Sequence, residues 1–220
     1  SCYYFYKWLK ISTYRNLFIF GIVLGISFLT KFSTFLLAPI FGFAVLVWIL
    51  LRGQWKKYLG GFILVSVIAY LVVGAVYAFH VWNYPIEKQI ADTSALVGGF
   101  KINMLSDLNI WMAGNRILRP FAEYTLGVLM VAQRSAGGNN AYFLGELSSH
   151  GWWYYFPLIY LMKETLPALL IIFIGFIIGF FDAFQTMARG IKKIPEKIME
   201  YLTINFTEFS MILFITIYWI

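Results

Sequence analysis

The sequence predicts an all-α membrane protein: a multi-pass transmembrane helical bundle with an extracytoplasmic loop region that carries interfacial helices. Hydrophobic residues make up 61% of the 220 residues and charged residues 12%, whereas a soluble domain has about 45–50% and about 25%. The hydrophobic residues form long runs without the alternation of a β-barrel strand. A helix satisfies its own backbone hydrogen bonds in lipid, so these runs favour helical spans.

Five transmembrane spans are predicted from the apolar runs, approximately at residues 17–29, 33–51, 58–79, 160–182 and 206–220. A hydrocarbon core of ~30 Å takes ~20 helical residues. The run Leu17–Leu51 is therefore too long for one span, and we expect it to turn at Thr30 and Lys31. Ser33 and Thr34 are candidate caps of the helix that follows this turn.

The chain has no initial Met and ends inside an apolar run. We therefore expect residues 1–220 to be one partial transmembrane domain, a piece of a longer protein. Two Gly-x-x-x-Gly pairs, Gly21 with Gly25 and Gly175 with Gly179, predict close helix packing. The single Cys2 allows no intrachain disulfide.

Positive charge predicts the orientation of the spans. The basic residues beside the spans form three groups: Lys7, Lys10 and Arg15; Arg52, Lys56 and Lys57; and Arg189, Lys192, Lys193 and Lys197. Short basic loops stay in the cytoplasm. All three groups are inside only if Leu17–Leu51 crosses twice and turns outside. The segment 80–150 is then extracytoplasmic, and it is neutral, with five basic and five acidic residues. The net charge of +7 therefore needs no nucleic-acid partner.

The outer segment contains one amphipathic pattern. From Pro120 to Gln133 apolar residues recur at helical spacing, which predicts a helix lying in the outer interface. The alternative is a helix packed against a further extracytoplasmic domain. Asp92, Thr93 and Ser94 are candidate caps of another short helix.

Four cations on the predicted outer side are candidates to bind a lipid phosphate: Lys31, Arg116, Arg119 and Lys163. Lys31 lies between two apolar halves, where a charged side chain is costly unless it has an anionic partner. Its alternative role is to reach the membrane surface and end a span. For Lys163, an ion pair with Glu164 is the alternative.

A polar and aromatic stretch before the fourth span supplies candidates to bind a sugar: Asn139, Tyr142, Glu146, His150 and Trp152. Amide and carboxylate groups hydrogen-bond sugar hydroxyls, and tryptophan can stack on a sugar ring. An aromatic belt at the membrane boundary is the alternative for the rings. Glu146 and His150 share a face if this segment is helical, but Gly145 and Gly151 oppose a continuous helix.

Two segments resemble those of a known family. GIVLGISFLTKFSTFLLAPIFG, Gly21–Gly42, resembles the GLxLGLxxLTKxxxLLLLP stretch of bacterial dolichyl-phosphate-mannose-protein mannosyltransferase-like proteins. YFLGELSSHGWWYYFPLIYLMKETLP, Tyr142–Pro167, resembles their YLxGExSxxGWWYYFPxxxLxKTPLP stretch. Glu164 stands here where the family more often has Thr or a small residue. These proteins form glycosyltransferase family 39 of the GT-C superfamily.

The resemblance implies a multi-pass enzyme of the bacterial inner membrane, a hexosyl- or pentosyltransferase. Such an enzyme moves a sugar from a polyprenyl-phosphate donor to an acceptor lipid or protein at the outer face. The superfamily's acidic base lies in the first outer loop, whereas this chain has no acidic residue before Glu87. We therefore expect the base to be missing and the chain to be inactive alone.

Two other functions remain open: a transporter or lipid flippase, and a non-catalytic membrane assembly subunit. The interiors of the spans are nearly free of ionisable groups, whereas transporters usually place such groups in mid-membrane. No HExxH, CxxC or carboxylate cluster predicts a metal site. The sequence indicates no cofactor beyond the lipid-linked donor as substrate, and a divalent metal stays open without support from a motif.

Overall fold

The computed structural model describes residues 1–99, 103–137, 140–149, 151–188 and 194–219. It is mostly helical, which confirms the predicted helical class. The chain forms two compact units, Ser1–Gly137 and Gly138–Ile220. A two-stranded sheet in the second unit was not predicted.

The first unit contains seven α-helices and one 3-10 helix within its described residues: α1 (Cys2–Lys10), α2 (Tyr14–Thr30), the 3-10 helix (Phe32–Leu36), α3 (Leu37–Arg52), α4 (Trp55–His80), α5 (Ile86–Val97), α6 (Asn103–Gly114) and α7 (Arg119–Gly137). The second unit contains β1 (Ala141–Phe143), β2 (Glu146–Ser148), α8 (Tyr155–Lys163), α9 (Leu166–Ala188), α10 (Ile194–Ile204) and α11 (Phe206–Trp219).

Among the described residues, two helical segments are long and apolar enough to cross a membrane. They are Phe32–Arg52, which joins the 3-10 helix to α3, and Trp55–His80, which is α4. A third exists if Ile198–Ile204 and Phe206–Ile217, which are bent by 97° at their junction, form one broken span. The apolar helix α2 has 17 residues, which gives a length of about 25 Å. That is less than the ~30 Å hydrocarbon core. The expected five-span arrangement therefore stays a prediction.

The expected span 160–182 is not one continuous helix. Helix α8 ends at Lys163, Glu164 has an extended backbone (φ −76°, ψ 150°), and α9 starts at Leu166. Pro167 explains this break, because proline is favoured in the first turn of a helix and has no N–H to continue the hydrogen bonds of a preceding helix.

Helices α2 and α4 run side by side in the same direction. A Cβ atom added at Gly21 would lie 2.8 Å from Cβ of Ile68, and one at Gly25 would lie 2.7 Å from the carbonyl oxygen of Ala69. The predicted close packing at the first glycine pair is confirmed. The second pair, in α9, differs, since an added Cβ meets no described atom within 4 Å.

Helix α3 returns antiparallel along α4. Gly42 is near the ring of Phe62, which a Cβ atom added there would meet at 3.4 Å. Further along, the rings of Trp48 and Tyr58 are 6.3 Å apart. As α3 advances, its partners on α4 therefore move back toward the start of α4. The three helices place their basic ends together, at the start of α2, the end of α3 and the start of α4.

The helix predicted for Pro120–Gln133 is confirmed and is longer, Arg119–Gly137. It packs on the second half of α4, where the rings of Tyr70 and Phe121 stack with centroids 4.6 Å apart. Its apolar side therefore contacts protein, and its place in a membrane interface stays a prediction. The capping role predicted for Asp92, Thr93 and Ser94 was wrong, because all three residues lie inside α5, which begins after Pro85.

Candidate functional site

The polar and aromatic stretch before α8 begins with a β-hairpin. Ala141 pairs with Ser148, Tyr142 with Leu147, and Phe143 with Glu146. The two turn residues, Leu144 and Gly145, have φ values of 50° and 94°. Positive φ at both central residues is the requirement of a type I′ hairpin turn. Glu146 therefore lies on a strand and not on a helix, which agrees with the two glycines, Gly145 and Gly151, that oppose a continuous helix here.

The hairpin carries an aromatic cluster on one face. Phe143 and Glu146 are directly opposite in the register, so their side chains point to the same face. Phe143 is buried, with its ring centroid 5.0 Å from that of Tyr155 and 5.7 Å from that of Trp152. The Glu146 carboxylate is exposed beside this cluster.

The two tryptophans that follow the hairpin differ in exposure. Trp152, expected to bind a sugar, is only partly exposed and stacks on Tyr155 at 6.4 Å. Its neighbour Trp153 is 90% exposed, and Tyr142 is 67% exposed on the opposite face of the hairpin. Trp153 is therefore the more accessible ring, while Trp152 packs on the hairpin, and sugar binding by Trp152 stays a prediction. Asn139 and His150 lie outside the described residues.

The helix caps expected after Lys31 are not formed, while phosphate binding by Lys31 stays a prediction. Lys31 is exposed between α2 and the 3-10 helix. The Thr34 hydroxyl lies 2.7 Å from the carbonyl oxygen of Ser27 and 2.6 Å from that of Lys31. It therefore donates back across the turn. Ser33 and Thr34 lie inside the 3-10 helix, and neither this helix nor α3 has a side-chain cap.

The other three candidate cations have different surroundings. Arg116 is exposed in the turn between α6 and α7. The side-chain oxygen of Asn115 orders this turn, because it accepts hydrogen bonds from the backbone N–H groups of Ile117 and Leu118. Arg119 is partly buried at the start of α7. Lys163 is exposed at the end of α8, in the same unit as the hairpin.

A polar cluster not expected from the sequence holds Arg119. The Nε of Arg119 donates to Oε1 of Gln89 at 2.9 Å, and an Nη atom donates to the carbonyl oxygen of Tyr84. The Gln89 amide donates to the Glu123 carboxylate at 2.9 Å, and the Tyr84 hydroxyl donates to Asp92 at 2.5 Å. The guanidinium therefore uses two of its five N–H groups to hold this cluster together, and phosphate binding by Arg119 stays a prediction.

The hydrogen bond from Tyr84 to Asp92 raises the pKa of the tyrosine to about 12, and partial burial adds to the shift. The phenol therefore remains protonated at physiological pH and keeps donating. A sequence signal for this cluster exists. Gln89 and Asp92 are three apart on α5, and Arg119 and Glu123 are four apart on α7, spacings that place each pair on one helix face.

Comparisons of the chain with protein-family models, with curated proteins and with solved structures find no match. The resemblance to glycosyltransferase family 39 therefore stays a prediction. Within the described part of the chain, no group of three or more His, Cys, Asp or Glu side chains is placed to hold a metal ion.

Proposed function

We propose that the protein is a membrane glycosyltransferase, or part of one, that takes a sugar from a polyprenyl-phosphate donor and transfers it to a lipid or protein acceptor at the extracytoplasmic face. The observation that carries this proposal is the hairpin Ala141–Ser148. It holds the exposed carboxylate of Glu146 beside an aromatic cluster, with the exposed ring of Trp153 following in the chain.

A lipid-linked sugar has three parts, and the second unit has a feature suited to each. The Glu146 carboxylate can accept hydrogen bonds from the sugar hydroxyls, and the Trp153 ring can stack on the apolar face of the sugar. The phosphate suits the exposed ammonium of Lys163. The polyprenyl chain suits the apolar surface of α9, which is exposed at Leu166 and from Leu170 to Phe181.

These features also follow the order that the donor requires. The hairpin comes first, Lys163 ends the next helix, and the apolar helix α9 follows after two residues. We assign donor recognition to this unit and assign no residue of the chain as the base that activates the acceptor. Lys163 is the first choice among the candidate cations, because it is exposed and lies in the same unit as the hairpin.

Donor binding tests this proposal. The purified chain is titrated with a polyprenyl phosphate that carries a hexose or a pentose, and with the same lipid phosphate without sugar. We expect Trp153→Ala to weaken binding of the sugar-bearing lipid about tenfold, as a lost stacking contact of roughly 1.4 kcal/mol does. Binding of the bare lipid phosphate should not change.

The matched control is Trp82→Ala, because Trp82 is 81% exposed and lies in the first unit. It should bind both lipids like the unchanged protein. Equal binding of both lipids by the unchanged protein, or an equal effect of the two tryptophan substitutions, would contradict sugar recognition by the hairpin.

A further inference from the structure

The first 86 residues contain seven basic side chains and no acidic one. The net charge of +7 therefore comes entirely from this part of the chain. Apart from Lys31, these residues lie at the end where α1 meets the starts of α2 and α4: Lys7, Lys10, Arg15, Arg52, Lys56 and Lys57. Residues 1–86 supply no carboxylate to pair with these six basic side chains. An anionic ligand would therefore be stabilised at this end of the first unit.

A groove of about 460 Å³ opens at this end, within the usual range of ligand pockets, about 300–1,000 Å³. Its polar side is formed by Ser12 and Thr13 from the loop before α2 and by Lys56 and Lys57 from the first turn of α4. Its apolar side includes Leu64. The groove therefore joins two ammonium groups and two hydroxyls to an apolar helix surface.

The packing of α1 on α4 forms this groove. Gly61 allows the ring of Trp8 to lie against the α4 backbone, since a Cβ atom added there would be 2.6 Å from the ring. At Gly60 the opposite holds, and an added Cβ would meet nothing within 4 Å. Gly60 therefore leaves open space that a larger side chain would fill.

The loop that forms the hydroxyl side is fixed in place. The side-chain amide of Asn16, which is buried, donates to the carbonyl oxygen of Ile11 at 2.7 Å. The hydroxyl of Thr13 accepts from the backbone N–H of Asn16 at 3.3 Å, as a cap of α2. The groove is thus largely preformed, which lowers the conformational entropy that the protein loses when a ligand binds.

The position of the two lysines favours an anion. Lys56 and Lys57 lie in the first turn of α4, which has no acidic residue. The start of a helix is the positive end of its dipole, so cations there are unfavourable and an anion is stabilised. The ammonium group of Lys56 lies 5.6 Å from the ring centroid of Trp55, and that of Lys57 lies 5.4 Å from the ring centroid of Tyr58. These cation–π contacts offset part of the repulsion between the lysines and the helix dipole.

We propose that this groove binds an anionic phospholipid, with its phosphodiester against Lys56 and Lys57 and an acyl chain along α4. Lys56, Gly60 and Leu64 follow at intervals of four, so they lie along one helix face and give the lipid a path from charge to apolar surface. This continuity favours a lipid over free phosphate. The groove is on the predicted cytoplasmic side, where anionic lipids are concentrated.

Binding of phosphatidylglycerol to the full chain in detergent tests the proposal, with phosphatidylcholine and inorganic phosphate as competitors. We expect the double variant Lys56→Gln and Lys57→Gln to bind phosphatidylglycerol about thirtyfold more weakly, as two lost lysine contacts imply. Gly60→Leu, which keeps the charge and fills the groove, should also weaken binding at least tenfold. Neither competitor should displace the lipid at equal concentration.

The control is the double variant Lys7→Gln and Lys10→Gln, which removes the same charge from α1 without changing the groove lining. It should bind phosphatidylglycerol within about threefold of the unchanged protein, because it loses only the screened long-range attraction of two distant charges. An equal loss in both double variants would overturn the groove in favour of general charge attraction. Displacement by inorganic phosphate would overturn the lipid as its ligand.

Discussion

Replacing Gly25 by alanine tests the close approach of α2 to α4. The new methyl group would lie 2.7 Å from the carbonyl oxygen of Ala69 and 2.8 Å from Cβ of Val72, so the helices must move apart. Overpacking of this kind costs about 1–3 kcal/mol. A helix-interior exchange of Gly for Ala otherwise gains about 1 kcal/mol. The net expectation for Gly25→Ala is a loss of up to about 2 kcal/mol in the free energy of unfolding.

Gly60→Ala is the matched control, because Gly60 lies in the partner helix and an added Cβ meets nothing within 4 Å. It should gain about 1 kcal/mol, so the two variants should differ by about 1–3 kcal/mol. The measurement is reversible unfolding of the purified chain in mixed micelles, followed by far-ultraviolet circular dichroism. If Gly25→Ala were as stable as Gly60→Ala, α2 and α4 would not be in contact at this position.

Two further predictions concern the hairpin and the polar cluster. Gly145→Ala should destabilise the hairpin by about 1–2 kcal/mol, since φ is 94° at this position and a left-handed backbone is costly for a residue with a Cβ atom. Near-ultraviolet circular dichroism of the aromatic cluster measures this loss. An unchanged spectrum and an unchanged melting curve would contradict the turn. Tyr84 should favour folding fully below pH ~10, its pKa in an unfolded chain. That contribution should be lost as the pH rises through about 12, its pKa in the folded protein. Tyr84→Phe should remove this loss between pH 10 and 12, and a variant that kept the same pH dependence would contradict the hydrogen bond to Asp92.

The helices were predictable where a long apolar run or an amphipathic repeat was present. The glycines of α2 indicated close packing correctly because small residues matter only where another backbone approaches. The same pattern at Gly175 and Gly179 was misleading, since the spacing does not show whether a partner helix is present. The break before α9 lies at Lys163, Glu164 and Thr165, and the predicted span 160–182 included these polar residues although Pro167 favours a new helix start after them.

The site was less predictable, because it depends on backbone conformation and on distant contacts. Nothing in the residue type of Leu144 indicates a positive φ, so the hairpin was missed and Glu146 was compared with a helix position. Trp152 and Trp153 are adjacent and chemically identical, and only the packing of Phe143 decides which of them is exposed. Arg119 was counted as an available cation because its partner Gln89 is 30 residues away in the chain.

The transfer reaction itself tests the central claim most directly. The protein is expressed from its complete gene in membranes and supplied with a polyprenyl phosphate that carries a radiolabelled hexose or pentose. We expect label to move to a lipid or protein acceptor. Glu146→Gln should slow this transfer about tenfold or more, as the loss of a charged hydrogen bond of ~1.5–3 kcal/mol does.

Leu147→Gln is the control, since Leu147 is 79% exposed on the other face of the hairpin, and it should transfer sugar at the normal rate. Both variants should accumulate in the membrane to the level of the unchanged protein. A lipid-linked sugar that crossed the membrane without losing its sugar would favour the transporter or flippase. Full transfer by Glu146→Gln would contradict the account of the hairpin as the sugar-binding site.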